Sequence, residues 1–270
     1  MLEFLQYEFI QRAYLTGSFV AFLCAVLGLF LVLRRMSLIG DGLSHVSFGA
    51  IALGLFFGIY PFYVAIPIVV IASYLILKLI EKAKIYGDTA IGIVSSAGIA
   101  SGVILASISK GFNIDLFSYL FGNILAISRN EMYLSIGLSV FLLALISYLY
   151  YDFFSTSFDE EYAKITGIKT ERINAILFIL TAITVVLAIR IVGVMLASAL
   201  LILPAATSLQ IAKGFKEAIL LSGIFAVLSV LGGITAAFYL DLPPGATIVI
   251  LNLILFVFFL IKKKFFRTVL

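Results

Sequence analysis

Two ionisable side chains sit inside an apolar run long enough to cross a membrane. Asp41 and His45 occupy Met36-Ser37-Leu38-Ile39-Gly40-Asp41-Gly42-Leu43-Ser44-His45-Val46-Ser47-Phe48-Gly49-Ala50, and the chain has no other histidine. A spacing of four places both on one face of a helix, one turn apart. Inserting a charge at the centre of a membrane helix costs roughly 2.5–3.5 kcal/mol on insertion scales, so residues of this kind line a pathway or bind something. A carboxylate beside an imidazole is a ligand set for a divalent transition metal. The alternative is a buried Asp–His hydrogen bond at a helix–helix contact, and residue type alone leaves it open. Two ligands are an incomplete metal set. A twofold dimer with this face on its axis would supply two carboxylates and two imidazoles, enough for four-coordination. Ligation needs the neutral imidazole, so metal binding at such a site would weaken in acid.

The stretch around the pair is dense in small residues: Gly40, Gly42, Ser44, Ser47, Gly49, Ala50, Ala52 and Gly54. Small side chains let helices approach closely, and the hydroxyls of Ser44 and Ser47 would make a polar lining for a path. A later apolar run, Gly193 to Thr207, contains Pro204, which removes a backbone donor and favours a kink. That marks a moving or pore-lining helix, or equally an ordinary packed one. Asp241-Leu242-Pro243-Pro244-Gly245 reads as a tight turn entering the last apolar run.

The elements that must hold these residues follow from composition. Of 270 residues, 63% are hydrophobic and 12% charged, and the mean hydropathy is +1.23. Arranged in runs near twenty residues, that composition specifies an all-α polytopic membrane protein. Nine spans are expected, at roughly 10–33, 37–58, 61–80, 89–109, 131–151, 171–189, 191–211, 217–239 and 245–262. With the C-terminus cytoplasmic and the N-terminus outside, cytoplasmic segments hold Arg34, Arg35, Lys78, Lys82, Lys84, Lys164, Lys169, Arg172, Lys213, Lys216, Lys262, Lys263, Lys264 and Arg267. Only Arg12, Lys110, Arg129 and Arg190 of the 18 basic residues remain outside. This is a strong positive-inside pattern for a multi-pass protein of the cytoplasmic membrane. The whole chain, 1–270, is expected to be one membrane domain.

Two segments are too short to span. The run 115–127 is too apolar for a free loop and is expected to lie along the outer surface or dip in as a short helix. On the inner side, Ser157 to Gly167 reads as a short amphipathic helix, with Ser157 and Glu160 at capping-box spacing and Gly167 as its stop. Its acidic face suits either docking to a soluble partner or a solvated interface. Several chemistries are excluded. The chain has no G-x-x-x-x-G-K-[ST] phosphate loop, so ATP-driven work must come from another polypeptide. With a single histidine no Ser/His/Asp or Cys/His nucleophile set can be assembled, so no catalytic residues are expected. The one cysteine, Cys24, forms no intrachain disulfide. No basic stripe interleaved with aromatics suggests a nucleic-acid partner.

The run Val32-Leu33-Arg34-Arg35 through Asp41-Gly42-Leu43-Ser44-His45 to Gly49 closely resembles the signature stretch of permeases from ABC-type zinc, manganese and iron uptake systems. The Ala-Leu-Leu-Ile-Leu-Pro-Ala core of Gly193 to Thr207 and Asp241-Leu-Pro-Pro-Gly are similar to further motifs of that family, and the resemblance covers nearly the whole chain. It implies a type-II-like ABC importer permease. Such a permease works as a homodimer with two copies of a cytoplasmic ATPase and an extracytoplasmic metal-binding protein. No cofactor would be bound permanently; the divalent metal, zinc, manganese or iron, is the cargo. The resemblance places Asp41 and His45 in the metal path and the 157–168 segment at the ATPase-coupling helix, with Phe158, Asp159, Glu160, Glu161, Tyr162 and Gly167 at or beside that contact. Two other readings remain: a related ABC permease for a metal chelate such as a siderophore, which needs no direct Asp/His pair, and a proton-coupled secondary carrier. The carrier would show more intramembrane carboxylates than Asp41 alone.

Overall fold

The computed structural model describes residues 6–109, 119–123, 127–194 and 196–268. Among them every regular element is helical: α1 (Glu8–Leu33), α2 (Ile39–Phe56), α3 (Pro61–Glu81), α4 (Gly87–Ile108), α5 (Arg129–Tyr148), α6 (Tyr150–Phe158), α7 (Glu160–Ile165), α8 (Thr170–Val192), α9 (Ala197–Ile211), α10 (Phe215–Leu240) and α11 (Pro244–Thr268). Eight of these are long and apolar enough to cross a bilayer. Helices predominate because backbone groups in hydrocarbon must be satisfied within the segment. Side-chain hydroxyls follow the same rule. Thr181, Thr184 and Thr207 each donate to the carbonyl four residues earlier, at 2.7–2.8 Å.

The expected span 191–211 differs. Its first two residues finish α8, and the chain then leaves helical geometry at Gly193, with φ 86° and ψ 166°. A Cβ at Gly193 would lie 2.4 Å from the carbonyl oxygen of Leu120, so only glycine fits there. The helix restarts at Ala197 and runs 15 residues, a rise of about 22 Å against a hydrocarbon core of about 30 Å. Hydropathy is blind to such a break, because the residues on both sides of it are equally apolar. Of the expected outer segment 115–127, residues 115–118 and 124–126 lie outside the described residues. Tyr119, within it, is buried, and its carbonyl accepts from Val194 N–H at 3.0 Å.

The two ends of the bundle are defined by polar contacts. At one end Arg34 reaches Ser157 and Asn174, and Lys263 reaches Gln210. There Phe215, at the start of α10, meets Phe30 and Phe154. The ends of α1, α9 and α11 therefore lie beside α6 and the starts of α8 and α10. At the other end Glu8 pairs with Arg129 at 2.8 Å, and Arg190 with Glu131 at 3.0 Å. The second pair is well shielded, with side-chain exposures of 13% and 10%. Tyr60 donates to the Glu131 carboxylate, and Ser128 and Glu131 form a reciprocal capping box that starts α5. Arg190 also lies over the Tyr119 ring, 5.2 Å from its centroid. This cluster ties α3, α5 and α8 together.

The core position belongs to α1, α2 and α8, the most enclosed of the long helices. Among its neighbours, α2 packs most closely on α4. A Cβ at Gly98 of α4 would lie 2.6 Å from the Cα of Val46, so these helices touch backbone to backbone. Gly98→Ala must push α2 and α4 apart, and we expect a loss of roughly 1–3 kcal/mol, read as a lower midpoint in thermal unfolding followed by far-UV circular dichroism in detergent. In the same assay Glu131→Ala, which removes the carboxylate shared by Arg190 and Tyr60, is expected to cost about 1–3 kcal/mol, and Glu131→Gln, which can still pair with Tyr60, distinctly less.

Candidate functional site

The α2 helix carries Asp41 in its first turn and His45 one turn further on. Their side chains project together, with His45 Nε2 3.6 Å from Asp41 Oδ2. That separation is an ion-pair distance rather than a short hydrogen bond, so the two are neighbours and not a locked pair. Across Ile39–Ala52 every residue is buried except Asp41 and His45. Their side chains remain 49% and 30% exposed, respectively. An otherwise enclosed membrane helix thus opens at one polar slot. Among the described residues no three His, Cys, Asp or Glu side chains come close enough to hold a metal. The slot therefore presents a carboxylate and an imidazole, two donors where a metal site needs three or more.

Other residues singled out in the sequence are placed elsewhere. Ser44 and Ser47 are fully buried, and their hydroxyls donate to Gly40 O and Leu43 O at 2.8 Å. They face neighbouring helices rather than the slot. Pro204 is buried inside α9. The α9 helix meets α2 near the slot: a Cβ on Gly40 would lie 2.9 Å from Leu201 Cδ1 and 3.6 Å from Ser198 Cα. Asp241 forms the left-handed C-cap of α10, φ 52°, and Pro244 opens α11, a turn followed by a helix start.

The inner amphipathic segment begins later than its sequence suggests. Ser157 belongs to the last turn of α6, and α7 starts at Glu160 with Asp159 as its N-cap. Asp159 Oδ1 accepts from Tyr162 N–H at 2.9 Å. Both Ser157 and Asp159 are cap-forming residues, and Arg34 decides between them: its Nε donates to Ser157 Oγ at 3.0 Å. Glu160 pairs with Lys164 at 3.0 Å, which holds that ammonium above its usual pKa range. Gly167 ends the element at φ 88°. Phe158, Tyr162 and Ile165 are all well exposed, the last at 84%. They present an apolar surface flanked by the exposed Glu160 and Glu161. Sequence reading missed Ile165 for this surface, although its place one turn after Tyr162 was the available signal.

Arg34 was legible only as a topology marker. It caps the C-terminus of α1, and its side chain spans to two distant elements, Ser157 on α6 and, at 2.6 Å, Asn174 Oδ1 on α8. Burial pulls its pKa below the ordinary guanidinium range, an effect opposed by the Glu160 carboxylate.

Known proteins resemble this chain in sequence and fold. The family model described as the ABC 3 transport family matches residues 6–263. The high-affinity zinc uptake system membrane protein ZnuB of Haemophilus influenzae is 32% identical over 96% of this chain and 99% of its own length. The manganese import system permease protein ScaB of Streptococcus gordonii is 36% identical, covering 97% of this chain and 96% of that one. Among solved structures, a chain of PsaBC from Streptococcus pneumoniae in complex with Fab superposes with a TM-score of 0.85. It is 34% identical and covers 94% of this chain and 91% of that chain. A putative metal-chelate type ABC transporter in an inward-facing conformation shares the fold at 18% identity, with a TM-score of 0.74, 93% of this chain and 85% of that chain. With eight helices long and apolar enough to cross a membrane and the family model matched over residues 6–263, this chain is a multi-pass membrane protein belonging to the ABC 3 transport family.

Proposed function

We propose that this chain is the permease subunit of an ABC importer that carries a divalent transition metal ion, zinc or manganese, across the cytoplasmic membrane into the cell. One observation carries the reading: within a buried membrane helix, the only open positions from Ile39 to Ala52 are a carboxylate and an imidazole one turn apart. Relatives named for zinc uptake and manganese import support this substrate class, to which such a pair is suited. The permease acts as a homodimer, and a second copy brings a matching Asp/His pair to complete the coordination. Asp41 and His45 replace part of the ion's hydration shell and release it again, as a conducting site must. The cargo reaches the slot from an extracytoplasmic metal-binding protein.

The energy comes from a separate ATPase, since the chain holds no phosphate loop. Two copies dock on the α7 ends of the dimer, where Phe158, Tyr162 and Ile165 offer the apolar contact and Glu160 and Glu161 a charged rim. The end of the bundle carrying α7 is the cytoplasmic one, in keeping with the basic residues gathered there. ATP-driven approach of the two ATPases then rocks the two permease copies about their shared axis and alternates access to the slot.

In vesicles containing the permease and its cognate ATPase, Asp41→Asn and His45→Ala are each expected to cut uptake of radioactive zinc or manganese at least tenfold. Assembly and ATP hydrolysis should be retained. Uptake at the wild-type rate in both variants would reject the slot as the metal path. Separately, Tyr162→Ala combined with Ile165→Ala is expected to reduce ATPase co-purification severalfold while leaving the permease monodisperse in detergent. Undiminished ATPase recovery would place the docking surface elsewhere.

A further inference from the structure

The coupling surface and the metal slot are on different helices, and the proposed cycle needs something to join them. Arg34 occupies the only five-residue path between α1 and α2, the connection Arg34–Leu38. That connection is stiff. Arg35 adopts a left-handed conformation with φ 57°, Arg35 N–H bonds Val32 O at 3.1 Å, and Met36 N–H bonds Leu31 O at 2.9 Å. These are the two bonds of a Schellman stop. Two further bonds continue directly into α2: Ile39 N–H to Met36 O at 3.2 Å and Gly42 N–H to Leu38 O at 3.0 Å. A displacement at Arg34 is therefore passed on to the turn that carries Asp41, seven residues away.

The side chain of Arg34 is held by the other half of the mechanism. Its Nε donates to Ser157 Oγ, the residue just before Phe158, and its Nη1 to Asn174 Oδ1 in the second turn of α8. These bonds bracket α7 on both sides along the chain. The remaining nitrogen, Nη2, is buried and makes no hydrogen bond. It belongs to a residue lining a cavity of about 490 Å³ that also contains Glu81, Glu160, Lys164 and Glu171. A buried donor without an acceptor costs free energy, and Glu160, at the start of α7, is an acceptor in the same cavity. Glu160 is engaged with Lys164 in this arrangement. Arg34 thus has two sets of partners within one cavity, the condition for a discrete switch rather than a static staple.

We propose that Arg34 is the positioning residue that transmits movement of the α7 region to the metal slot on α2. Movement of α6 and α7 drags Ser157, pulls the guanidinium, and rotates the Arg34–Leu38 turn together with Asp41. In the moved state Glu160 takes the free Nη2. The proposal rests on the permease reading. It does not require Arg34 to touch metal or ATP.

The test uses the assembled permease–ATPase complex in vesicles, comparing wild type with Arg34→Gln, Arg34→Lys and Asn174→Ala. Arg34→Gln is expected to keep the complex intact and hydrolyse ATP within about twofold of wild type, while metal moved per ATP falls at least tenfold. Arg34→Lys should recover only part of this, since an ammonium cannot reproduce the planar fork. Arg34→Gln and Asn174→Ala should be non-additive when combined. Metal moved per ATP that is unchanged in Arg34→Gln, or that falls only in step with lost complex, overturns the proposal. A second readout needs no metal: spin labels at the exposed Leu38 of both copies in the dimer report a nucleotide-dependent distance in wild type and a nucleotide-independent one in Arg34→Gln. Identical distance distributions in the two proteins overturn the proposal as well. A wild-type complex that hydrolyses ATP without moving metal would instead overturn the permease reading, while the distance readout would still decide the role of Arg34.

Discussion

The backbone contact between α2 and α4 is the constraint on which the rest depends. Gly98 lets Val46 approach to a distance no side chain would allow, and the helix that carries the polar pair is sealed on that side. Without a strong hydrophobic drive between helices in lipid, such close van der Waals contact supplies much of the association. Its functional consequence is geometric. Because α2 is covered from Ile39 to Ala52, the openings at Asp41 and His45 are not incidental surface but the only polar exposure the helix has there. A looser α2 would expose backbone and serine hydroxyls as well, and a passing cation would meet a broad polar surface in place of two defined donors.

The serines show how that definition is kept. Ser44 and Ser47 were natural candidates for a polar lining, yet each hydroxyl bonds the carbonyl one turn back and is enclosed. A hydroxyl that can satisfy itself locally has no need of a conduit, whereas a carboxylate and an imidazole cannot do so within a helix. The same physics explains the opposite end of the bundle. Glu131 and Arg190 are ionised groups at membrane-helix ends, and they persist there by pairing with each other and with Tyr60 and Ser128. That pair is closed, with side-chain exposures of 13% and 10%, while the Asp41–His45 pair is open.

How much of this was legible in the sequence depends on separation along the chain. The Asp41–His45 face follows from a spacing of four, and eight of the nine expected spans follow from apolar length. The α9 break did not, because it is set by a backbone angle at Gly193 and a contact with Leu120, neither of which alters hydropathy. The start of α7 was misplaced by two residues, since Ser157 and Asp159 are both good caps and only a distant arginine claims one of them. The Glu131–Arg190 pair joins residues 59 apart, and Arg34 reaches partners 123 and 140 residues away. No local pattern encodes such pairings. What local pattern did encode was a family resemblance, and the family match over residues 6–263 agrees with it.

The position of the slot, at the start of α2 rather than its middle, bears on how a metal would be handled there. The first turn of a helix carries the positive end of its macrodipole, an effect of about 0.3–1 kcal/mol on a nearby charge. A cation at Asp41 meets that repulsion in addition to the nearby basic pair Arg34 and Arg35. On the proposed reading, two donors per chain against an opposing field would make a site that binds modestly and releases readily. A deep four-ligand cage at the membrane midplane would hold the ion more tightly and slow its departure. On the proposed path this is the sense of the placement: capture belongs to an extracytoplasmic partner, and the permease needs only enough attraction to replace part of a hydration shell during passage. The same closeness to the helix start puts Asp41 seven residues from Arg34, so in the proposed cycle the turn that would weaken the site is also the one through which the α7 region would move it.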